Sequence, residues 1–125
     1  MPFKQRCFLV YAVAPQSTSA ADANGALNAY IEDRRRGVVV FHDHFARAPH
    51  GGIVVFDVRS DEERRMLGDA GPLEGWQLAV HPFTFSLSAV GFVEQAKLTL
   101  REYAKTDLET LRRDEPVDPR FWWRR

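Results

Sequence analysis

The chain has 125 residues, of which 45% are hydrophobic, and its 17 basic and 17 acidic side chains give a formal net charge of zero. This length predicts one domain that is large enough to bury a core. The balanced charge argues against a dedicated nucleic-acid binder, which needs a basic excess, and leaves little repulsion against self-association. A single cysteine, Cys7, excludes an internal disulfide and cysteine-rich metal motifs.

The first predicted element is a buried strand in RCFLVYAVAP (6–15), where β-favouring residues dominate and a proline ends the run. Its apolar part, 7–13, is too short to span a membrane and lacks a signal-peptide cleavage pattern. The default expectations are therefore a cytoplasmic location and no membrane partner.

A helix is predicted next, beginning at the capping pair Ser19 and Asp22. Apolar residues such as Leu27 then recur at helical spacing, and the helix is expected to stop at Gly37. We interpret the preceding arginines, 34–36, as a solvated helix end, and a docking site for an anionic partner is the alternative.

The next elements complete a β-α-β-β-α-β order over residues 6–85. This order is the ferredoxin-like α+β pattern, with a four-stranded antiparallel sheet whose edges are the second and fourth strands. A capping box of Ser60 and Glu63 predicts that the second helix starts at Asp61. The predicted strands are VVVFHDHFAR (38–47), IVVFDVR (53–59) and GWQLAVHPFTF (75–85).

The C-terminal part, 87–125, is predicted to add one long helix over 87–113 to the domain formed by residues 1–86. An aromatic tail, FWW (121–123), follows and is expected to pack on the same domain or on a dimer mate. The predicted strands are apolar on both faces, so both need covering. Two helices cover one face, and either a second subunit or the C-terminal helix covers the other.

Three stretches, NAYIEDRRRGVVVF, GGIVVFDVRSDEERRML and GWQLAVHPF, resemble the YCII-related proteins in pattern and order over residues 6–85. The resemblance implies a homodimeric α/β barrel in which the sheets of two ferredoxin-like subunits face each other around a cavity. For members that are enzymes it implies lyase- or isomerase-type chemistry on a small cyclic substrate. The family's catalytic histidine on the first helix is replaced by Leu27, so the family's dyad of histidine and acid does not carry over.

The stretch HDH supplies the most specific candidate site. His42 and His44 are two residues apart on a predicted strand, which puts them on one face with Cα atoms about 7 Å apart, and Asp43 on the other. Two imidazoles at this spacing can converge on one divalent metal ion. The candidates for a third ligand are His81, His50 and Asp57. In a dimer with facing sheets, strand two of one subunit lies near strand four of the other, so His81 of a second subunit would approach the pair.

Three interpretations of these histidines stay open: a metal site, a metal-free pocket with a histidine as general base, and structural histidines at a sheet edge or interface. A single H-x-H motif is a weak signal, so the structural interpretation is the default, and no cofactor other than this metal is expected. The catalytic candidates are His42, His44 and His81, and the substrate-binding candidates are Tyr11 and Asp57. Two functions are compatible with the sequence. One is an enzyme or small-molecule binder with its site in a dimer cavity, and the other is a non-catalytic module that engages a partner through the C-terminal helix and the FWW tail.

Overall fold

The computed structural model describes residues 5–115. The β-α-β-β-α-β order predicted for residues 6–85 is confirmed, and two further helices follow it. The strands are β1 (Cys7–Val13), β2 (Val38–His44), β3 (Gly51–Asp57) and β4 (Gln77–Pro82). The helices are α1 (Ala20–Glu32), α2 (Asp61–Leu67), α3 (Ala89–Thr99) and α4 (Leu108–Asp114). Short 3-10 turns cover Arg34–Arg36 and Gly71–Leu73, and a π-helical segment covers Leu100–Ala104.

The four strands form one antiparallel sheet in the order β2-β3-β1-β4. The α+β class is therefore confirmed, and β2 and β4 are the edges, as predicted. The two central strands have nearly continuous apolar sequences and are mostly buried. Strands with neighbours on both sides are expected to have this composition.

One face of the sheet, called the helix face below, packs against α1 and α2. Val10 of β1 and Val54 of β3 are partners in the strand register on this face. Both are fully buried in one core cluster with Leu27 of α1 and Leu67 of α2. Because side chains alternate along a strand, Leu9 points to the opposite face, called the second face.

Both predicted helix caps are confirmed. The Oγ atom of Ser19 accepts a hydrogen bond from the backbone N–H of Asp22 at 3.1 Å. Ser60 caps α2 in the same way by accepting from the N–H of Glu63 at 3.1 Å. The Glu63 carboxylate reaches back and accepts from the N–H of Arg59 at 2.7 Å. Each cap of this kind stabilises a helix start by about 1 kcal/mol.

The prediction of a solvated arginine cluster after α1 is wrong for Arg36, which is only 1% exposed. Its Nη1 donates to the carbonyl of Tyr30 at 3.1 Å, and its Nη2 donates to the carbonyl of Asp69 at 2.8 Å. Nη1 also lies 3.2 Å from the Asp33 carboxylate. Asp33 ends α1 and caps the 3-10 turn that contains Arg36, and from this turn the Arg36 side chain reaches the segment after α2.

The single helix predicted for residues 87–113 is also wrong, because the chain breaks between α3 and α4. Lys105 is left-handed, with φ 55° and ψ 39°, a conformation that is uncommon for residues other than glycine. Asp107 then caps α4 by accepting from the N–H of Thr110 at 2.8 Å. The apolar spacing continues across the break, so periodicity alone hides it.

The chain divides into two compact units, whose described parts are residues 5–92 and 93–115. The sequence-based division lay earlier, between residues 86 and 87. The aromatic tail, 121–123, lies outside the described residues. Among residues 5–115, no helix has both the length and the apolar character needed to cross a membrane.

Candidate functional site

A β-bulge at Val40 decides where the side chains of β2 point. Val39 pairs with Phe56 of β3, whereas Phe41 pairs with the next residue back, Val55, so Val40 is the extra residue in the ladder. Val39 packs against the core on the helix face. One extra residue reverses the alternation, and Phe41 therefore lies on the second face.

The bulge turns His42 and His44 towards the helix face. His42 pairs with the core residue Val54, and His44 pairs with Gly52. The Nε2 atom of His44 lies 3.1 Å from the Oδ1 atom of Asn28 on α1. The two imidazole rings pack edge to face with their centroids 5.5 Å apart. The pair shares one face, as its spacing predicts, and this is the helix face, on which His44 contacts α1 whereas His42 stays exposed.

The contact with Asn28 defines the tautomer of His44. An amide oxygen can only accept hydrogen bonds, so Nε2 of His44 carries the proton and donates it to Oδ1. The Nδ1 atom of the same ring is buried and has no hydrogen-bond partner among residues 5–115. One directed hydrogen bond thus holds the imidazole against α1.

His81 of β4 lies on the opposite side of the sheet from the other two histidines. It pairs with Leu9, which neighbours the core residue Val10 and points to the second face. A dimer with facing sheets would bring second faces together, whereas His42 and His44 point away from that interface. The shared three-histidine site therefore cannot form as predicted. Within residues 5–115, no group of three or more His, Cys, Asp or Glu side chains is placed to hold a metal ion.

His50, the other ligand considered, lies in the loop between β2 and β3. Its carbonyl accepts a hydrogen bond from the N–H of Ala14 at 2.8 Å. Its Nδ1 atom is buried without a hydrogen-bond partner in the described part of the chain. The backbone of this residue therefore joins the loop to the end of β1.

The second face brings Tyr11 and His81 together. The register makes them diagonal neighbours on β1 and β4, with Cα atoms roughly 7–8 Å apart. The Tyr11 ring packs on Phe45 with 5.6 Å between ring centroids. Tyr11 and Phe41 are each 43% exposed. Two rows cross the second face from β2 to β4, namely Phe41, Val55, Leu9 and His81, then Asp43, Ile53, Tyr11 and Ala79.

The sequence did not predict that Tyr11 shares the second face with Phe41, Phe45 and Asp43. A regular β2 would have placed Phe41 and Asp43 on the same face as Val39, against the helices. The bulge moves both to the second face, and no residue in this stretch marks a bulge as a glycine would. Asp43 does lie opposite the two histidines of β2, as predicted from the alternation.

Asp57, expected on a cavity wall, is already engaged by the protein and is 4% exposed. Its Oδ1 atom accepts from Nη2 and Nε of Arg6 at 2.9 and 3.0 Å. Its Oδ2 atom accepts from the N–H of Ala89 at 2.7 Å. Burial, and after it the charge of Asp57, raises the pKa of Cys7 to about 11, so the buried thiol stays protonated near neutral pH.

Comparison of the chain with family models, with curated proteins and with solved structures gives no match. The side chains that the sheet itself brings together therefore carry the functional proposal. They form two sets on opposite faces. The helix face has His42, His44 and Asn28, and the second face has Tyr11, His81 and Asp43 with two phenylalanines.

Proposed function

We propose that this protein is a homodimer of ferredoxin-like subunits and binds a small organic molecule between the second faces of its two sheets. The observation that carries the proposal is the aromatic surface of the second face, where Tyr11 and Phe41 are each 43% exposed. Exposed apolar side chains grouped on one surface are typical of interaction and ligand sites. The resemblance to YCII-related proteins supports the same arrangement.

The composition of the second face suits a shared cavity. Facing sheets pack about 10 Å apart, which leaves room for a small molecule wherever the facing side chains are short. Ligand sites are mainly apolar and contain a few polar groups that orient the ligand. Here Tyr11 lies on a central strand, Asp43 on one edge strand and His81 on the other. A net charge of zero allows two copies to approach.

The same face has the groups that proton-transfer chemistry requires. A lyase or isomerase of the kind that the family resemblance implies must remove a proton from carbon and return one elsewhere. The imidazole of His81 is the base on this face, and the hydroxyl of Tyr11 is the donor. His42 and His44 have no part in this proposal because they lie on the helix face.

Light scattering coupled to gel filtration tests the dimer. We expect the wild-type chain to have twice the monomer mass and Phe41→Glu to have the monomer mass, because the substitution would bury a charge at the interface. The matched control is Phe85→Glu, which introduces the same charge at an aromatic residue that lies outside the strands and is 73% exposed. A wild-type monomer, or equal effects of the two variants, would contradict the proposed dimer.

The second candidate function is the interaction module, and exposed apolar residues in the unit 93–115 favour it. Tyr103 is 83% exposed, and Leu108 and Leu111 are nearly half exposed one helical turn apart on α4. If this unit binds the dimer mate, Leu108→Asp with Leu111→Asp should give monomers, whereas Phe41→Glu should leave the dimer intact. The two functions therefore predict opposite results for the same pair of variants.

A further inference from the structure

Two pockets of the unit 5–92 have Arg59 in common among their lining residues. The first has a volume of about 240 Å³ and is also lined by Arg6 and Arg64. The second has a volume of about 420 Å³ and is also lined by Arg34. Four arginines therefore line these two pockets, which are together called the depression below, and neither Tyr11 nor a histidine lines them.

Three of these four arginines have no ionic partner within residues 5–115. Only Arg6 forms a salt bridge, through Nη2 and Nε to Asp57, and its Nη1 is left for another acceptor. The side chains of Arg34, Arg59 and Arg64 form neither a salt bridge nor a hydrogen bond with any described residue. Guanidinium groups pair with the oxygens of phosphate in a bidentate geometry.

Each pocket also contains one carboxylate. Asp61 lines the first pocket and Glu32 lines the second. The three arginines without an ion pair stand against these two carboxylates. The Glu63 carboxylate, which accepts from the backbone N–H of Arg59 at 2.7 Å, lies beside Gly37. The carboxylates can accept hydrogen bonds from hydroxyl groups of an organic ligand. An inorganic anion without such groups would not use these acceptors.

The second pocket supplies an apolar wall next to the arginines. Ile31 of α1 and Val38 and Val39 of β2 form this wall. Gly37 of the second pocket lies close to the first, because a Cβ atom there would lie 3.2 Å from Cγ1 of Val58 and 3.4 Å from Oε1 of Glu63. The φ of Gly37 is 103°, a conformation that glycine adopts without strain, so the backbone can pass closely between them.

We propose that this depression binds a small organic phosphate, and that this site is independent of the dimer cavity. The phosphate group lies in the first pocket against Arg59, Arg64 and the free nitrogen of Arg6. The carbon skeleton extends into the second pocket over Val38 and Val39.

Isothermal titration calorimetry of the whole chain tests this site with phenyl phosphate, inorganic phosphate and benzyl alcohol as probes. We expect phenyl phosphate to bind about tenfold more tightly than inorganic phosphate, because its ring buries apolar area on Val38 and Val39. Benzyl alcohol, which has the ring but no charge, should not bind. A failure of phenyl phosphate to bind at millimolar concentration overturns the site.

Single variants locate the binding. Arg59→Gln should weaken phenyl phosphate about tenfold or more, since it removes a charge-assisted hydrogen bond. Arg64→Gln, on α2, should also weaken the binding of phenyl phosphate. The matched control is Arg47→Gln, which removes the same charge from the exposed loop between β2 and β3 and should bind like the wild type.

Three results would overturn the proposal. The first is wild-type affinity in Arg59→Gln with an unchanged melting curve, and the second is an equal loss in the Arg47→Gln control. The third is co-sedimentation with phosphatidic acid vesicles in the absence of phenyl phosphate binding, which would identify a lipid headgroup as the phosphate that is bound. None of these results bears on the oligomeric state, so the two proposals can fail separately.

Discussion

The guanidinium carbon of Arg36 lies 4.0 Å from the centroid of the Tyr30 ring. The Tyr30 hydroxyl donates to the carbonyl of Leu67 at 2.6 Å, and Arg36 donates to the carbonyl of Asp69 at 2.8 Å. The pair therefore joins the end of α1 to the end of α2. Both side chains are buried, so removing either leaves buried groups without their partners.

Arg36→Met should lower the free energy of unfolding by about 3 kcal/mol, because it breaks a buried, hydrogen-bonded charge arrangement. Urea denaturation followed by circular dichroism measures the loss. Arg35→Met is the matched control, since Arg35 is an exposed neighbour with its own ion pair to Asp33 at 2.7 Å. Exposed pairs contribute little, so equal losses in the two variants would contradict the role of Arg36.

Stability should fall at alkaline pH because two buried groups resist ionisation. Burial raises the pKa of Tyr30 from 10.0 to about 12 despite the nearby Arg36 charge. Burial and the Asp57 charge raise the pKa of Cys7 from 9.0 to about 11. Both pKa values are higher in the folded state than in the unfolded chain. The stability that these groups contribute is therefore complete below pH 9. The contribution of Cys7 is lost between pH 9 and 11, and that of Tyr30 between pH 10 and 12.

The measurement for this prediction is the urea midpoint as a function of pH between 8 and 12, the range set by the two pKa values. The double variant Cys7→Ala with Tyr30→Phe should start from a lower midpoint, since it lacks the hydrogen bond to Leu67. Its midpoint should then decline less steeply with pH. A decline as steep as that of the wild type would assign the alkaline loss to other groups.

The ring of His44 should be the Nε2–H tautomer, because that nitrogen donates to Asn28 across the helix face. Long-range ¹H–¹⁵N correlation spectra at alkaline pH distinguish the protonated nitrogen from the one that carries the lone pair. Asn28→Leu should remove the preference of His44 for the Nε2–H tautomer, whereas His42→Gln should leave this preference unchanged. An Nδ1–H signal for wild-type His44 would contradict this assignment and show that Nε2 accepts from the amide N–H of Asn28 instead.

The two faces of the sheet should respond differently to ligand. With benzoate as a cyclic organic probe, His81→Gln and Tyr11→Phe should each weaken binding about tenfold, the loss expected for one hydrogen bond to a charged group. His42→Gln changes the same residue type on the helix face and should leave the affinity unchanged. A titration followed by chemical-shift changes measures the benzoate affinity of the wild type and of the three variants. A loss of affinity confined to His42→Gln would place the ligand on the helix face and contradict the proposal.

Local signals in the sequence were sufficient for the element order of residues 6–85 and for the starts of α1 and α2. Ser19, Ser60 and Glu63 are recognisable because a cap depends on residues within one helical turn. The α+β class follows from the order of apolar runs, since each run must bury a face. The same reasoning named Tyr11 and His81 as side chains for one site, and the register makes them neighbours.

The sequence by itself determined the elements of residues 6–85 and their order, because these depend on short-range periodicity and capping, and the ferredoxin-like pattern of that order identified the edge strands. Only the tertiary structure decided which face each side chain of β2 uses, because the bulge at Val40 is a property of its ladder with β3. The burial of Arg36 has a similar origin, since its partners Tyr30 and Asp69 meet only when α1 and α2 pack. A contact between distant residues leaves no periodic signal in the chain, which is why the sequence alone did not decide on which face of the sheet His42 and His44 lie.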